Sequence, residues 1–122
     1  MARILVVDDL ESEAFRMICI LEKAGHTCER AHEGDEAVKL ATAQPPALIL
    51  MDVVMGDQDG FGACRRLKRD PATRDIPVVF VTSKSDESSK FWAEKIGAAS
   101  FLVKPVLPQH LIDTVERILA ER

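Results

Sequence analysis

Three carboxylates, a hydroxyl and an amine follow directly on short apolar runs. Asp8 and Asp9 come after ILVV, Asp52 after ALILM, Thr82 and then Ser83 after VVFV, and Lys104 with Pro105 after SFLV. Two carboxylates about 4 Å apart repel by roughly 4 kcal/mol at an effective dielectric of 20, and a third adds to that. Lys104 balances only one of them. Either some of these acids hold their protons through raised pKa values, or a cation completes the set. Donors that are all oxygen, few in number and with room for water, suit Mg²⁺ or Mn²⁺ better than zinc. A metal beside a carboxylate, a lysine and a hydroxyl is equipment for phosphoryl transfer, in which the protein mainly positions groups and neutralises charge. A carboxylate can itself accept the group as an acyl phosphate. Asp52, central in the order of the runs, is the candidate nucleophile.

That chemistry requires elements that bring four distant segments to one edge. Five short apolar runs recur at regular intervals: residues 4–7, the weak 27–31, 47–51, 78–81 and 100–103. Segments of helical length and period lie between them. Residues 11–24 place Ala14, Phe15, Ile18 and Leu21 on one side and close at Gly25. Residues 35–43 group Ala37, Leu40 and Ala41 ahead of Pro45-Pro46. A third helix starts near Gly60 with Phe61, Cys64 and Leu67, and stops before Asp70-Pro71. A fourth begins after Ser85, passes through Phe91, Trp92 and Ile96, and ends at Gly97. The last carries Pro108 in its first turn and repeats Leu111, Val115, Ile118 and Leu119. Strict alternation of strand and helix predicts a doubly wound α/β fold: five parallel strands joined by right-handed crossovers, with helices on both faces. In such sheets ligands bind beyond the carboxyl ends of the strands, where the acids, Thr82 and Lys104 fall. The second strand contributes nothing comparable.

With 122 residues, 47% of them apolar and 30% charged, the chain reads as one soluble globular domain. The net charge of −4, without a cluster of Lys and Arg, argues against nucleic-acid binding. No apolar stretch approaches the roughly 20 residues that cross a bilayer, so a cytoplasmic protein without a membrane partner is expected. Cys19, Cys28 and Cys64 fit neither a disulfide framework nor a zinc pattern. His26, His32 and His110 read as solvated.

The constellation Asp8-Asp9, Asp52, Thr82 and Lys104-Pro105, with the pair Asp59-Gly60, resembles that of the receiver domains of two-component response regulators, the CheY-like family. The likeness runs from Ala2 to the last helix, so residues 1–122 are expected to form one receiver domain. It implies the strand order 2-1-3-4-5. It also implies that Asp52 is phosphorylated from the phosphohistidine of a histidine kinase. Asp9 would ligate Mg²⁺ directly and Asp8 largely through water, with Asp52 and the Val54 carbonyl as further ligands. Lys104 would pair with the phosphoryl group and precede a cis bond to Pro105. Thr82 would move toward a phosphoryl oxygen, and Phe101 would turn inward behind it. One departure stands in MDVVMGDQDG, where Gly56 takes the place of the family's usual proline and loosens the loop. Thr82, Lys84, Trp92 and the FLVKP ending are similar to single-domain receivers of the chemosensory systems of type IV pili (twitching motility). The resemblance implies a monomeric signalling switch that modifies only itself, acting on a separate effector or as a phosphate sink.

Competing readings accompany several of these residues. Asp57 and Asp59-Gly60 fail as a calcium loop, because Met55 and Arg66 fall where its first and last ligands belong, and they read as a turn and helix cap. Phe91 and Trp92 are adjacent and cannot both be buried by one helix face. The plainer expectation for them is core and boundary packing. The functional one sets Trp92 and Phe101 on a partner face formed by the fourth helix, fifth strand and last helix. A metal-dependent phosphohydrolase of the haloacid dehalogenase type also uses an aspartyl nucleophile. It requires a second acid two residues after the first on strand one, where this chain has Leu10.

Overall fold

The computed structural model describes residues 1–55, 58–83 and 87–121. Five strands form one parallel sheet: β1 (Arg3–Val7), β2 (Thr27–Ala31), β3 (Leu48–Met51), β4 (Val78–Thr82) and β5 (Ser100–Val103). Their spatial order is β2-β1-β3-β4-β5. The helices between and after them are α1 (Glu11–Lys23), α2 (Gly34–Ala43), α3 (Gly60–Arg69), α4 (Glu87–Ile96) and α5 (Pro108–Ala120). The expected doubly wound architecture is therefore observed. The strand-end acids follow from it, because the two central strands, β1 and β3, stop at Val7 and Met51, just short of Asp8 and Asp52.

Alternation along the strands divides the core in two. Ile4 and Val6 pack with Leu48 and Leu50 against the buried stripes of α1 and α5. Leu5 and Val7 pack with Ile49 and Met51 against α2 and α3 on the other face. Central strands β1, β3 and β4 are almost wholly buried, whereas the edge strands β2 and β5 are partly open. A sheet covered on both faces selects unbroken Val, Ile and Leu runs at its centre. α1 and α4 are followed by glycines at φ +99° and +98°, Gly25 and Gly97, a conformation that side chains with a Cβ rarely adopt. Burial pushes the thiol of Cys64 up to about 11. Burial, then the Glu22 carboxylate, does the same for Cys28, also to about 11. Both thiols stay protonated at neutral pH.

Several expectations fail. Phe15 is 66% exposed, because α1 buries Ala14, Met17 and Leu21 and the residue after Ala14 lies more than a quarter of a turn off that stripe. α4 buries only Ser89 and Ala93, so Phe91 and Trp92 both stand outside the core. His26 is buried rather than solvated. Its Nδ1 accepts from the Ala2 amide at 3.1 Å, and its Nε2 lies 3.0 Å from Glu116 on α5. A short antiparallel ribbon, Val54–Met55 with Gln58–Asp59, was not expected between β3 and α3. The expectations about Gly56, Asp57, Lys84 and Ser85 lie outside the described residues.

Candidate functional site

Asp8 leaves β1 with its amide donating to the Ala31 carbonyl at 3.2 Å, a bond that extends the pairing with β2 by one residue. Asp52 leaves β3 in the same way, its amide donating to the Val7 carbonyl at 3.0 Å. Both side chains then turn back on their own loops. Asp8 Oδ1 accepts from the Leu10 amide and Asp52 Oδ1 from the Val54 amide, each at 3.0 Å. This two-residue reach is the usual habit of aspartate at a turn. It leaves the second oxygen of each carboxylate free to face the other strand end.

Lys104 meets both. Its Nζ donates to Asp8 Oδ2 at 2.8 Å and to Asp52 Oδ2 at 3.0 Å. The Lys104 amide is held at 2.8 Å by the carbonyl of Thr82, which is itself fully buried, and the bond to Pro105 is cis. Three strand ends are thus tied by one ammonium. Asp8 has no exposed surface and Asp52 only 7%. Burial raises the pKa of Asp8 above its ordinary 3.8, against the lowering effect of Lys104. Burial by itself would lower Lys104, but the hydrogen bonds it donates to Asp8 and Asp52 outweigh it and hold its pKa above 10.5. Two anionic oxygens against one cation leave the buried group one negative charge in excess.

Asp9 differs from its neighbour in being exposed. Among the described residues, no three acidic, histidine or cysteine side chains close on a single point, so Asp9 does not complete a ready-made ligand set with the buried pair. Mg²⁺ asks for no such set. It is commonly held by one or two carboxylates, with water and phosphate oxygens filling the rest. The donors present, all hard oxygens with excess negative charge, fit that ion.

Gly60 and three residues not singled out from the sequence join the site. Gly60 opens α3, donates to the Val53 carbonyl at 2.7 Å, and lies so close to Asp52 that a Cβ there would overlap the Asp52 carbonyl oxygen. Arg30 on β2 donates to the Asp8 carbonyl at 3.1 Å, so the second strand does contribute. From α1, Glu13 comes within 4.0 Å of Lys104, and Arg16 donates to the Val106 carbonyl at 2.7 Å. Both line a cavity of about 510 Å³ above Asp52 and Lys104, with Leu10 and Pro105. Only the glycine at the start of α3 left a sequence signal, as a turn. Phe101 is half-buried on β5, in register with Phe80 of β4 and packed against the core. Trp92 lines a groove between α3 and α4, and Phe101 a separate hollow with Lys90 and Ala93.

A family model described as the response regulator receiver domain matches residues 4–116. Protein PilH of Pseudomonas aeruginosa is 42% identical over 120 residues, which cover 98% of this chain and 99% of PilH. Response regulator PleD of Caulobacter vibrioides is 40% identical over 105 residues, 86% of this chain and 23% of PleD. The chain therefore spans nearly all of one relative and about a quarter of the other. Among solved structures, Vibrio cholerae chemotaxis protein CheY4 superimposes with a TM-score of 0.91 at 30% identity, covering 97% of this chain and 98% of that one.

Proposed function

The chain belongs to the response regulator receiver domain family of two-component signalling, and on that premise we propose that it is a phosphorylation-dependent switch with Asp52 as the phosphoryl acceptor. The single observation that supports this most is the buried Asp8–Lys104–Asp52 arrangement, with its uncompensated negative charge and a cavity open above it.

In the proposed reaction a carboxylate oxygen of Asp52 attacks the phosphorus of a histidine kinase's phosphohistidine. The new O–P bond forms as the P–N bond breaks, and the electron pair returns to the imidazole. Water later cleaves the acyl phosphate, restoring the carboxylate and releasing inorganic phosphate. Asp8, Asp9, Asp52 and the Val54 carbonyl would hold Mg²⁺, with Mn²⁺ as an alternative. The ion, when bound, would supply positive charge to the transferred oxygens. Lys104 leaves its place between two carboxylates to pair with the phosphoryl group. Thr82, next to Lys104 through its carbonyl, offers its hydroxyl to a phosphoryl oxygen. Movement of Thr82 opens space beside Phe80 for Phe101, and the surface around β5 shifts between two pre-existing forms.

The output is a separate protein, or the withdrawal of phosphate from a shared kinase. The extent of the likeness to PilH supports a pilus-related pathway for a receiver domain covering residues 1–122, and we take that domain to act as a cytoplasmic monomer. No described helix is long and apolar enough to cross a membrane. The test is intact-mass measurement after incubation with Mg²⁺ and acetyl phosphate. The wild type should gain one phosphoryl mass and Asp52→Asn none. A wild type that stays unmodified while turning over a sugar phosphate would reverse the proposal in favour of a phosphohydrolase.

A further inference from the structure

Away from the acids, the most conspicuous surface lies on α4. Phe91 and Trp92 are 53% and 51% exposed, their rings meeting edge to face at 5.6 Å. The Lys95 ammonium sits 5.5 Å from the Phe91 ring centroid. Trp92 is also one wall of a groove of about 240 Å³ between α3 and α4, with Phe61, Gly62, Arg65 and Ile96 forming the rest. Large aromatics left in a concave, mostly apolar groove are the usual material of protein recognition sites.

The charges around the groove point to what fills it. α3 has four basic residues and no acidic one. Arg66 is paired with Asp35 on the α2 side, and Lys68 is committed to the carbonyls of Arg74 and Ile76. Arg65 remains as the one charged residue lining the groove. It is exposed, and among the described residues it forms no ion pair. On a chain of net charge −4, an apolar groove with a cationic lip departs from its surroundings. A flat lipid surface gains little from a narrow cleft. A helix projecting one apolar side chain into it, with carboxylates alongside, fits both its shape and its charge.

We propose that the α3–α4 groove is a docking site for an acidic amphipathic helix of a partner protein, whose apolar anchor packs against Trp92 while a carboxylate pairs with Arg65. The site is separate from the hollow on the β5 side of α4, and it does not depend on phosphoryl transfer. The groove also reaches the interior, since Phe61 meets Phe80 of β4 edge to face at 5.1 Å.

The probe is a labelled peptide of about 15 residues, long enough to sustain a helix, with Leu and Phe on one face and Glu on the other. Its binding to the unphosphorylated protein is followed by anisotropy. Saturable binding is expected, weakened about tenfold or more by Arg65→Glu or by Trp92→Ala. Lys90→Glu, on the far flank of α4, should have a much smaller effect. A peptide with Lys in place of Glu should not bind. All three substitutions are at exposed positions, and circular dichroism verifies their folding. The proposal is overturned by absence of binding, by equal binding to wild type and Arg65→Glu, or by a larger loss at Lys90→Glu. It is equally overturned if anionic phosphatidylserine vesicles bind through Arg65 and Trp92 while the peptide does not.

Discussion

Lys104→Met removes the only cation that, among the described residues, touches the two buried carboxylates, while keeping the length and apolar volume of the side chain. At 2.8 and 3.0 Å, and an effective dielectric of 20, the lost attractions are roughly 5–6 kcal/mol each before desolvation is counted. The ammonium no longer has to be desolvated, which offsets much of this. Breaking a buried pair by deleting one partner typically costs about 3–5 kcal/mol, and the lower figure suits a site with an open cavity above it. The melting temperature should then fall by roughly 10 °C or more. The loss must depend on pH. Burial already raises Asp8 above 3.8, and without the lowering effect of Lys104 it rises further. Between 3.8 and that raised value the folded chain binds more protons than the unfolded chain, so stability falls as pH rises through this window. Lys104 works in the opposite range. Its raised pKa contributes stability that is complete below 10.5 and is lost as pH rises through the folded value. The deficit of the variant is therefore greatest near neutrality and narrows toward acid. Urea denaturation of both proteins at neutral and acidic pH measures it. Equal stability at neutral pH, or a loss that is the same at every pH, would refute the electrostatic reasoning.

Two further substitutions probe neighbouring parts of the site. Asp8→Asn keeps an acceptor for the Leu10 amide and leaves a balanced Lys104–Asp52 pair. Metal-free stability at neutral pH should rise, because burial no longer penalises an ionised Asp8, while stabilisation by added MgCl₂ disappears. A loss of stability, or an undiminished thermal shift with MgCl₂, would show that Asp8 is neither the strained acid nor a metal ligand. Gly60→Ala presses a methyl group against the Asp52 carbonyl. It should destabilise the fold by roughly 1–3 kcal/mol and slow phosphorylation from acetyl phosphate, and wild-type values for both in thermal melts and mass spectrometry would contradict the contact.

What the sequence made legible, and what it did not, follows the range of the interactions. Asp8, Asp52, Thr82 and Lys104 are readable as a group because each directly follows an apolar run, and parallel strands bring all such positions to one edge. Lys104 pairing with both acids at once is a matter of ångströms and was not readable. Helix phase was the weaker signal. In α1 and α4 the buried stripe is built of small or slender residues, Ala14, Met17, Ser89 and Ala93, so large aromatics beside it drew the expected face round toward themselves. Arg30 and His26 were missed for another reason. Their partners, the Asp8 carbonyl and Glu116, lie 22 and 90 residues away, and no local pattern carries that information. Trp92 was rightly set on α4, but which neighbouring helix it faced depends on how α4 is rotated against α3.

The excess negative charge at the strand ends also bears on the switch proposed above. At rest, Lys104 satisfies one oxygen of each carboxylate, and the Leu10 and Val54 amides satisfy the other. The Lys104 ammonium and these two amides are therefore already engaged. A phosphoryl group on Asp52 exchanges a single negative charge for one approaching two, carried on three strong acceptor oxygens. The resting donors cannot serve these without leaving Asp8. On the proposed reading the new demand would fall on Thr82, joined to Lys104 through its carbonyl and two residue pairs from the Phe80–Phe101 pair. A site with balanced charge would absorb the added group locally. One that begins short of positive charge would recruit it from β4 and β5, and on the proposed reading would pass the chemical event on to the surface those strands support.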